Sequence, residues 1–223
     1  MKNDEIVLRI CDDKSIRLEI RENNEIRTKI ISVDTLTECI KESIKGVKFS
    51  SGLLPQNALC VTVNPDSGQK YVTIEFPDSI ANITYMNTEY ENFPLPRLLF
   101  GFTVESSGRI SSVNLGVPAL GKLTPDTEMY YYPFSNVSTF SLCIGQNSLP
   151  HIKSLDQLTN LPYYILSFPD NDDHYKEKHN RLELGHRDLL EHLVDKDRQY
   201  YYDNILVPMP DKKLKNFLNG GTI

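Results

Sequence analysis

Cys143 stands between Leu142 and Ile144, seven residues after Asn136, in a stretch that reads Pro133-Phe134-Ser135-Asn136-Val137 and ends Cys143-Ile144-Gly145. An ionised thiol is a strong nucleophile toward carbonyl carbon. A carboxamide NH2 beside it has two N–H donors, which can serve a developing oxyanion or brace the loop. Downstream lie Asp170, Asp172, Asp173 and His174, the last 31 residues beyond the cysteine. These acids read either as groups serving the thiol chemistry or as one solvated loop, and His174 reads equally as an exposed histidine. His151 could couple to Cys143 in the manner of a thiol protease, but no orienting partner or glycine-rich oxyanion loop accompanies it.

Composition narrows the choices around that segment. The 223 residues carry 24 Lys and Arg against 30 Asp and Glu, a formal charge of −6 that disfavours broad contact with a phosphate backbone. No apolar run approaches the roughly 20 residues of a membrane-spanning helix, and the first residues lack the pattern of a signal peptide. A cytoplasmic protein that binds neither nucleic acid nor membrane is expected. Cys11, Cys39, Cys60 and Cys143 form no C-x-x-C pair, and no histidine falls at zinc-ligand spacing. The first three fall within apolar periodic patterns and are expected in the core. His186 and His192 are expected on a helix surface. Tyr130 to Tyr132 and Tyr200 to Tyr202 read as packing residues or as a binding surface.

The elements that must position Cys143 follow from periodicity. Residues 1–31 alternate apolar and polar positions in three runs, which predicts a meander of strands packed on the core as an N-terminal extension. Leu36, Cys39, Ile40, Ile44 and Val47 predict a helix capped at Ser32 or Asp34 and stopped by Gly46. Strands are expected over 58–63, 70–76, 97–104, 110–117 and 128–132, while 78–92 has no clear pattern. Helical spacing returns after the cysteine, first at Leu155, Leu158 and Leu161, with Ser154 as a cap. It recurs at Leu189, Leu190, Leu193 and Val194 within 186–202, and a short helix closes the chain over 211–218. Gly220-Gly221 reads as a frayed terminus. The expectation is an α+β fold, with residues 32–223 as one compact domain.

The ordered motifs in the middle of the chain resemble the ubiquitin-conjugating enzymes. In those enzymes a His-Pro-Asn turn ends a strand and the catalytic cysteine follows. The match is nearer to the bacterial family D of ubiquitin-conjugating-like proteins, which includes the B component of PRTRC systems. It runs through Pro96-Arg97-Leu98-Leu99-Phe100, Pro118-Ala119-Leu120, Pro125 to Tyr130, Pro133 to Val137, and Cys143-Ile144-Gly145. It covers about a quarter of the chain. The histidine of His-Pro-Asn is absent here, the interval from Asn136 to Cys143 is one residue shorter, and Phe140-Ser141-Leu142 stands where relatives often place a glycine.

The resemblance implies a ubiquitin-conjugating-like fold, an antiparallel meander flanked by helices. It implies that Cys143 accepts a ubiquitin-like protein as a thioester and passes it to an amine. Asn136 would stabilise the oxyanion or brace the loop, and Asp172 and His174 would assist on the acceptor side. Implied partners are a ubiquitin-like protein, a ThiF-type adenylating activating enzyme and a deconjugating metalloprotease, with no cofactor or metal on this chain. The alternative is an inactive scaffold of the same fold that binds the modifier or its activating enzyme.

Overall fold

The computed structural model describes residues 5–13, 15–22, 25–44 and 50–220. The chain divides into two units, Met1–Ser50 and Ser51–Ile223. In the first, β1 (Glu5–Ile10), β2 (Ile16–Glu22) and β3 (Glu25–Ile31) form an antiparallel meander. The register sets Ile6 opposite Ile20, Leu8 opposite Leu18 and Ile10 opposite Ile16, so the period-2 pattern gathers these aliphatics on one face. Ser32 alone separates β3 from α1 (Val33–Ile44), and its hydroxyl accepts from the Thr35 N–H, as an N-cap does.

The observed boundary falls after Ser50 rather than after Ile31. A one-residue link ties α1 to the strands that precede it. Cys39 on α1 is exposed and Cys11 and Cys60 are half-buried, which corrects the expectation that all three lie in the core. Gly46, Val47, the Asn23-Asn24 turn and Gly221 lie outside the described residues.

The second unit is built on an antiparallel sheet. Its centre is the meander β4 (Ala58–Val63), β5 (Lys70–Glu75), β8 (Leu99–Val104) and β9 (Ile110–Pro118), hydrogen-bonded in that order. Between β5 and β8 the chain makes a separate hairpin of β6 (Ile80–Tyr85) and β7 (Thr88–Pro94), in the stretch whose sequence showed no clear pattern. Past β9, β10 (Glu128–Tyr130), β11 (Val137–Ser138) and β12 (Ser141–Leu142) extend the sheet. The helices α2 (Leu161–Leu166), α3 (His186–Leu193), α4 (Arg198–Tyr200), strand β13 (Pro208–Lys213) and α5 (Leu214–Leu218) complete it. The class is α+β. Among the described residues no helix is long and apolar enough to cross a membrane.

Both faces of the central sheet are covered. Pairing places Val72, Phe102 and Val113 in one row and Ile74, Phe100 and Leu115 in the next. These rows belong to the main core with Leu189, Leu190 and Leu193 of α3. Each fully buried aromatic or aliphatic side chain there contributes about 2–3 kcal/mol of transfer free energy. The opposite face carries a smaller core of Leu99, Met129, Phe140, Met209, Leu214 and Phe217.

The helical segments depart from their predicted extents. Leu155–Asn160 is a 3-10 turn without a Ser154 side-chain cap, followed by α2 with Pro162 in its first turn. The long pattern over 186–202 breaks after Leu193 and resumes as α4, then widens into a π turn over Tyr201–Ile205. Tyr201 and Tyr202 donate to the Pro94 and Pro118 carbonyls, and Tyr130 packs edge-on against Tyr202. The paired tyrosine runs are packing residues in that respect.

Gly101 lies in the row Thr73–Gly101–Asn114 on the second face. The Tyr71 phenol crosses directly over it and accepts from Asn114 Nδ2 at 3.1 Å. A methyl group at residue 101 would overlap the buried ring. Gly101→Ala is expected to cost about 2–3 kcal/mol by denaturant unfolding, through overpacking.

Candidate functional site

The segment that carries Cys143 starts from the core. Tyr132, Pro133, Phe134 and Ser135 are buried, and the Phe134 ring meets Phe93, Tyr132 and Tyr201 edge-to-face. Asn136 then turns the chain with φ +62°, a left-handed conformation that asparagine tolerates better than most side chains. From there β11 and β12 form a hairpin that pairs Val137 with Leu142 and Ser138 with Ser141. Its two-residue turn, Thr139-Phe140, places Thr139 at φ +58°, a position usually given to glycine. Phe140 anchors the turn by burial against Phe217, with ring centroids 5.2 Å apart, and its carbonyl accepts from Leu115 N–H.

One step outward along this hairpin, Asn136 and Cys143 stand opposite each other, and the Cys143 N–H donates to the Asn136 carbonyl at 2.7 Å. The seven-residue interval is the one a two-residue hairpin turn requires to set them face to face. The shorter interval thus makes a tight hairpin. The thiol itself is exposed at the hairpin's mouth.

The facing wall is the chain after α2. Asp170 is pinned to the edge of β6, its N–H donating to the Thr84 carbonyl and its carbonyl accepting from Met86 N–H. Asn136 joins the two walls. Its side-chain Nδ2 donates to Asp170 Oδ1 at 2.7 Å and its backbone N–H to the Asp173 carbonyl at 2.6 Å. Leu142, Cys143, Ile144, Ile165, Phe168 and Asp170 line the resulting cleft. Burial pushes the Asp170 carboxyl up to about 6, against the opposing pull of the Asn136 hydrogen bond. The buried Ser135 hydroxyl is close enough to lower that value slightly, yet makes no well-formed hydrogen bond.

The other candidates are dispersed. Asp172 lies outside the cleft; its carboxylate accepts from the Tyr85 hydroxyl at 2.8 Å and meets His186 Nδ1 at 3.2 Å. His174 is exposed, at φ +60°, and does not line the cleft. Asp173 does line it, and its side chain accepts from Asn171. His151 does not line the cleft; it lines a neighbouring groove with Arg109 and Ser111 that shares Leu142, Ile144 and Asn147 with it. His179 is buried, stacked on Tyr131, and His192 is exposed beside the Tyr200 hydroxyl. Among the described residues no cluster of His, Cys, Asp and Glu could hold a metal ion.

His186 is 4% exposed, which corrects its expected surface position. It occupies the first place of the i, i+3, i+4, i+7 face that it shares with Leu189, Leu190 and Leu193, so α3 carries it into the core. That spacing was the available signal. For Asp170 the signal was its place directly after Phe168-Pro169, at the apolar end of the acidic run.

The cleft holds a nucleophile, a carboxylate able to take up a proton near neutral pH, and a carboxamide between them. Asp170 binds its proton more tightly when folded than its ordinary value near 3.8, so its ionisation opposes folding. The penalty is absent below pH 4 and is complete above pH 7. Asp170→Asn retains an acceptor for Asn136 and is expected to raise stability by about 3 kcal/mol at pH 8, at roughly 1.4 kcal/mol for each tenfold change in proton affinity. No gain is expected at pH 4, and thermal unfolding at the two pH values measures the difference.

No protein-family model matches the chain, and neither a curated protein nor a solved structure does.

Proposed function

We propose that the chain is a ubiquitin-like protein conjugating enzyme of the cytoplasm, with a ubiquitin-conjugating-like fold and Cys143 as its thioester-forming residue. The observation that carries the reading is the pairing of Asn136 with an exposed Cys143 across one hairpin, facing a carboxylate of raised pKa. The four-strand meander before that hairpin and the helices after it agree with the resemblance in the sequence.

In the first step the Cys143 thiolate attacks the thioester carbonyl that joins the modifier to its activating enzyme. A new C–S bond forms, the old one breaks, and the activating enzyme's cysteine leaves as a thiolate. In the second step an amine attacks the Cys143 thioester. Nδ2 of Asn136 holds Asp170 through one N–H and has a second to donate to the oxyanion. The amine gives its proton to Asp170, the C–N bond forms, and Cys143 leaves as thiolate. Asp170, rather than Asp172 or His174, takes the acceptor-side role in this scheme. The partners are the ubiquitin-like protein, a ThiF-type activating enzyme and a metalloprotease that reverses the bond.

The second reading is a scaffold that binds the modifier without transferring it. The observation favouring it is that Asn136 already braces Asp170, in a turn without the family's histidine. The two readings separate on a gel run without reductant, after mixing the protein with the activating enzyme, the ubiquitin-like protein and ATP. The enzyme gives a thiol-sensitive adduct, which Cys143→Ser converts to a reductant-resistant ester and Cys143→Ala abolishes. Binding with no adduct is the scaffold's result and rejects the enzyme. Asp170→Asn is expected to leave adduct formation intact and to slow its discharge to an amine by about 10- to 100-fold, with loss of the rise in rate near pH 6.

A further inference from the structure

His186 has no place in the chemistry above, yet it is among the most constrained polar side chains of the second unit. Its ring stacks on Tyr175, with centroids 4.5 Å apart and planes 10° apart. Tyr85 tilts against it at 4.4 Å and Phe134 at 6.2 Å. Nδ1 meets two acceptors, the Asn171 carbonyl at 3.1 Å and Asp172 Oδ1 at 3.2 Å. Two acceptors require a donor, so the neutral ring carries its proton on Nδ1. Nε2 is then a bare lone pair, buried with no partner.

Both partners of Nδ1 sit in the turn that directly follows Asp170. Asp170 has its own backbone bonds to β6, but the turn beyond it is held to the core by His186 and by the Tyr85 hydroxyl on Asp172. The same turn supplies the Asp173 carbonyl that receives the Asn136 N–H. An unbroken chain of contacts therefore runs from α3 through Asn171-Asp172 to both walls of the cleft.

We infer that His186 is a positioning residue for Cys143 chemistry: its Nδ1–H clamps the Asn171-Asp172 turn and so fixes Asp170, with its bond from Asn136, across the cleft from the thiol. The inference rests on the proposed reading for its catalytic consequence, though not for its structural content. The charged and titratable groups facing the ring are Asp172 in the turn, Tyr85 on β6, Tyr175 after the turn, and Arg187 on α3, whose guanidinium lies over the Tyr85 ring. Burial holds the imidazole below its ordinary pKa, opposed by Asp172, so the neutral donor persists at pH 7.

Two substitutions separate clamping from packing. His186→Phe keeps a ring in the aromatic stack and removes the donor. His186→Asn loses the ring and keeps an amide N–H near the Nδ1 position. The first readout is the Asp170 carboxyl titration by carbon NMR in the intact protein. The second uses a small diglycyl thioester of 2-mercaptoethanesulfonate: Cys143 displaces the sulfonate thiol, and added methylamine then takes the acyl group from Cys143.

His186→Phe is expected to lower the Asp170 midpoint from about 6 by about one pH unit, as the loosened turn admits water. It should slow discharge to methylamine about tenfold with the acylation rate unchanged, and His186→Asn should restore both readouts. Asp172→Ala, an exposed position, should move them the same way by a smaller amount. It carries the test if His186→Phe does not fold.

An unchanged Asp170 midpoint in His186→Phe, or in Asp172→Ala where that variant carries the test, overturns the inference. So does a pattern in which Phe is benign and Asn is not, because packing alone would then explain the ring. Failure of the conjugation reading gives a different signature. Discharge is then insensitive to Asp170→Asn, while the Asp170 midpoint still follows residue 186.

Discussion

The hydrogen bond from Asn136 Nδ2 to Asp170 Oδ1 joins two segments 34 residues apart in sequence, and the cleft is the space that this bond defines. On one side is a hairpin of minimal length whose turn is nailed down by Phe140. On the other is a turn leaving α2, pinned to the edge of β6. The Asn136 N–H bonds the Asp173 carbonyl as well, so the two segments are held in a fixed relation by polar contacts. A charge-assisted bond between half-buried partners supplies that constraint, and it is stronger than the same bond in water. It also explains why Asp170 is displaced only part of the way from its ordinary range. Desolvation raises the carboxyl, and the donor from Asn136 restrains the rise.

The same economy recurs around the site. His186 joins the Asn171-Asp172 turn to α3, and the Tyr85 hydroxyl joins it to β6. Each polar contact lies at the margin of the main core, where Phe134 and Tyr85 also pack. Polar anchors there fix geometry that apolar packing leaves free, because hydrophobic burial is non-directional. The thiol stands at the end of the series, exposed, with its backbone N–H held by Asn136 and its flanking Leu142 and Ile144 lining the cleft.

Much of the fold was legible in the sequence for simple reasons. Period-2 alternation marked the three N-terminal strands, and short apolar runs bounded by turns with glycine, proline and serine marked the central meander. The β6–β7 hairpin was not legible. Its strands are rich in Asn, Thr and Tyr, and their apolar positions are interrupted by the bulge that shifts the register between Ala81 and Ile83. The helical pattern over 186–202 breaks after Leu193 and resumes as α4, whose π turn carries Tyr201 inward. Local spacing alone does not report that packing. Cys39 and Ile40 lie on a helical face with the correct period, yet both are exposed. Periodicity shows which face could be buried, not what covers it.

By itself the sequence placed Asn136 seven residues before Cys143, with an amide and a thiol whose chemistry could combine. The observed two-residue turn is what makes that interval a cross-strand pair. The sequence also delivered an acidic run downstream without ranking its members. Only the tertiary structure decided that Asp170 faces the cleft, that Asp172 and His174 do not, and that His186 is buried against Asn171 and Asp172. The physical reason is that a carboxylate's role follows from its desolvation and its hydrogen-bond partners. Both are set in large part by β6 and by the turn at Asn136, which lie far from it along the chain.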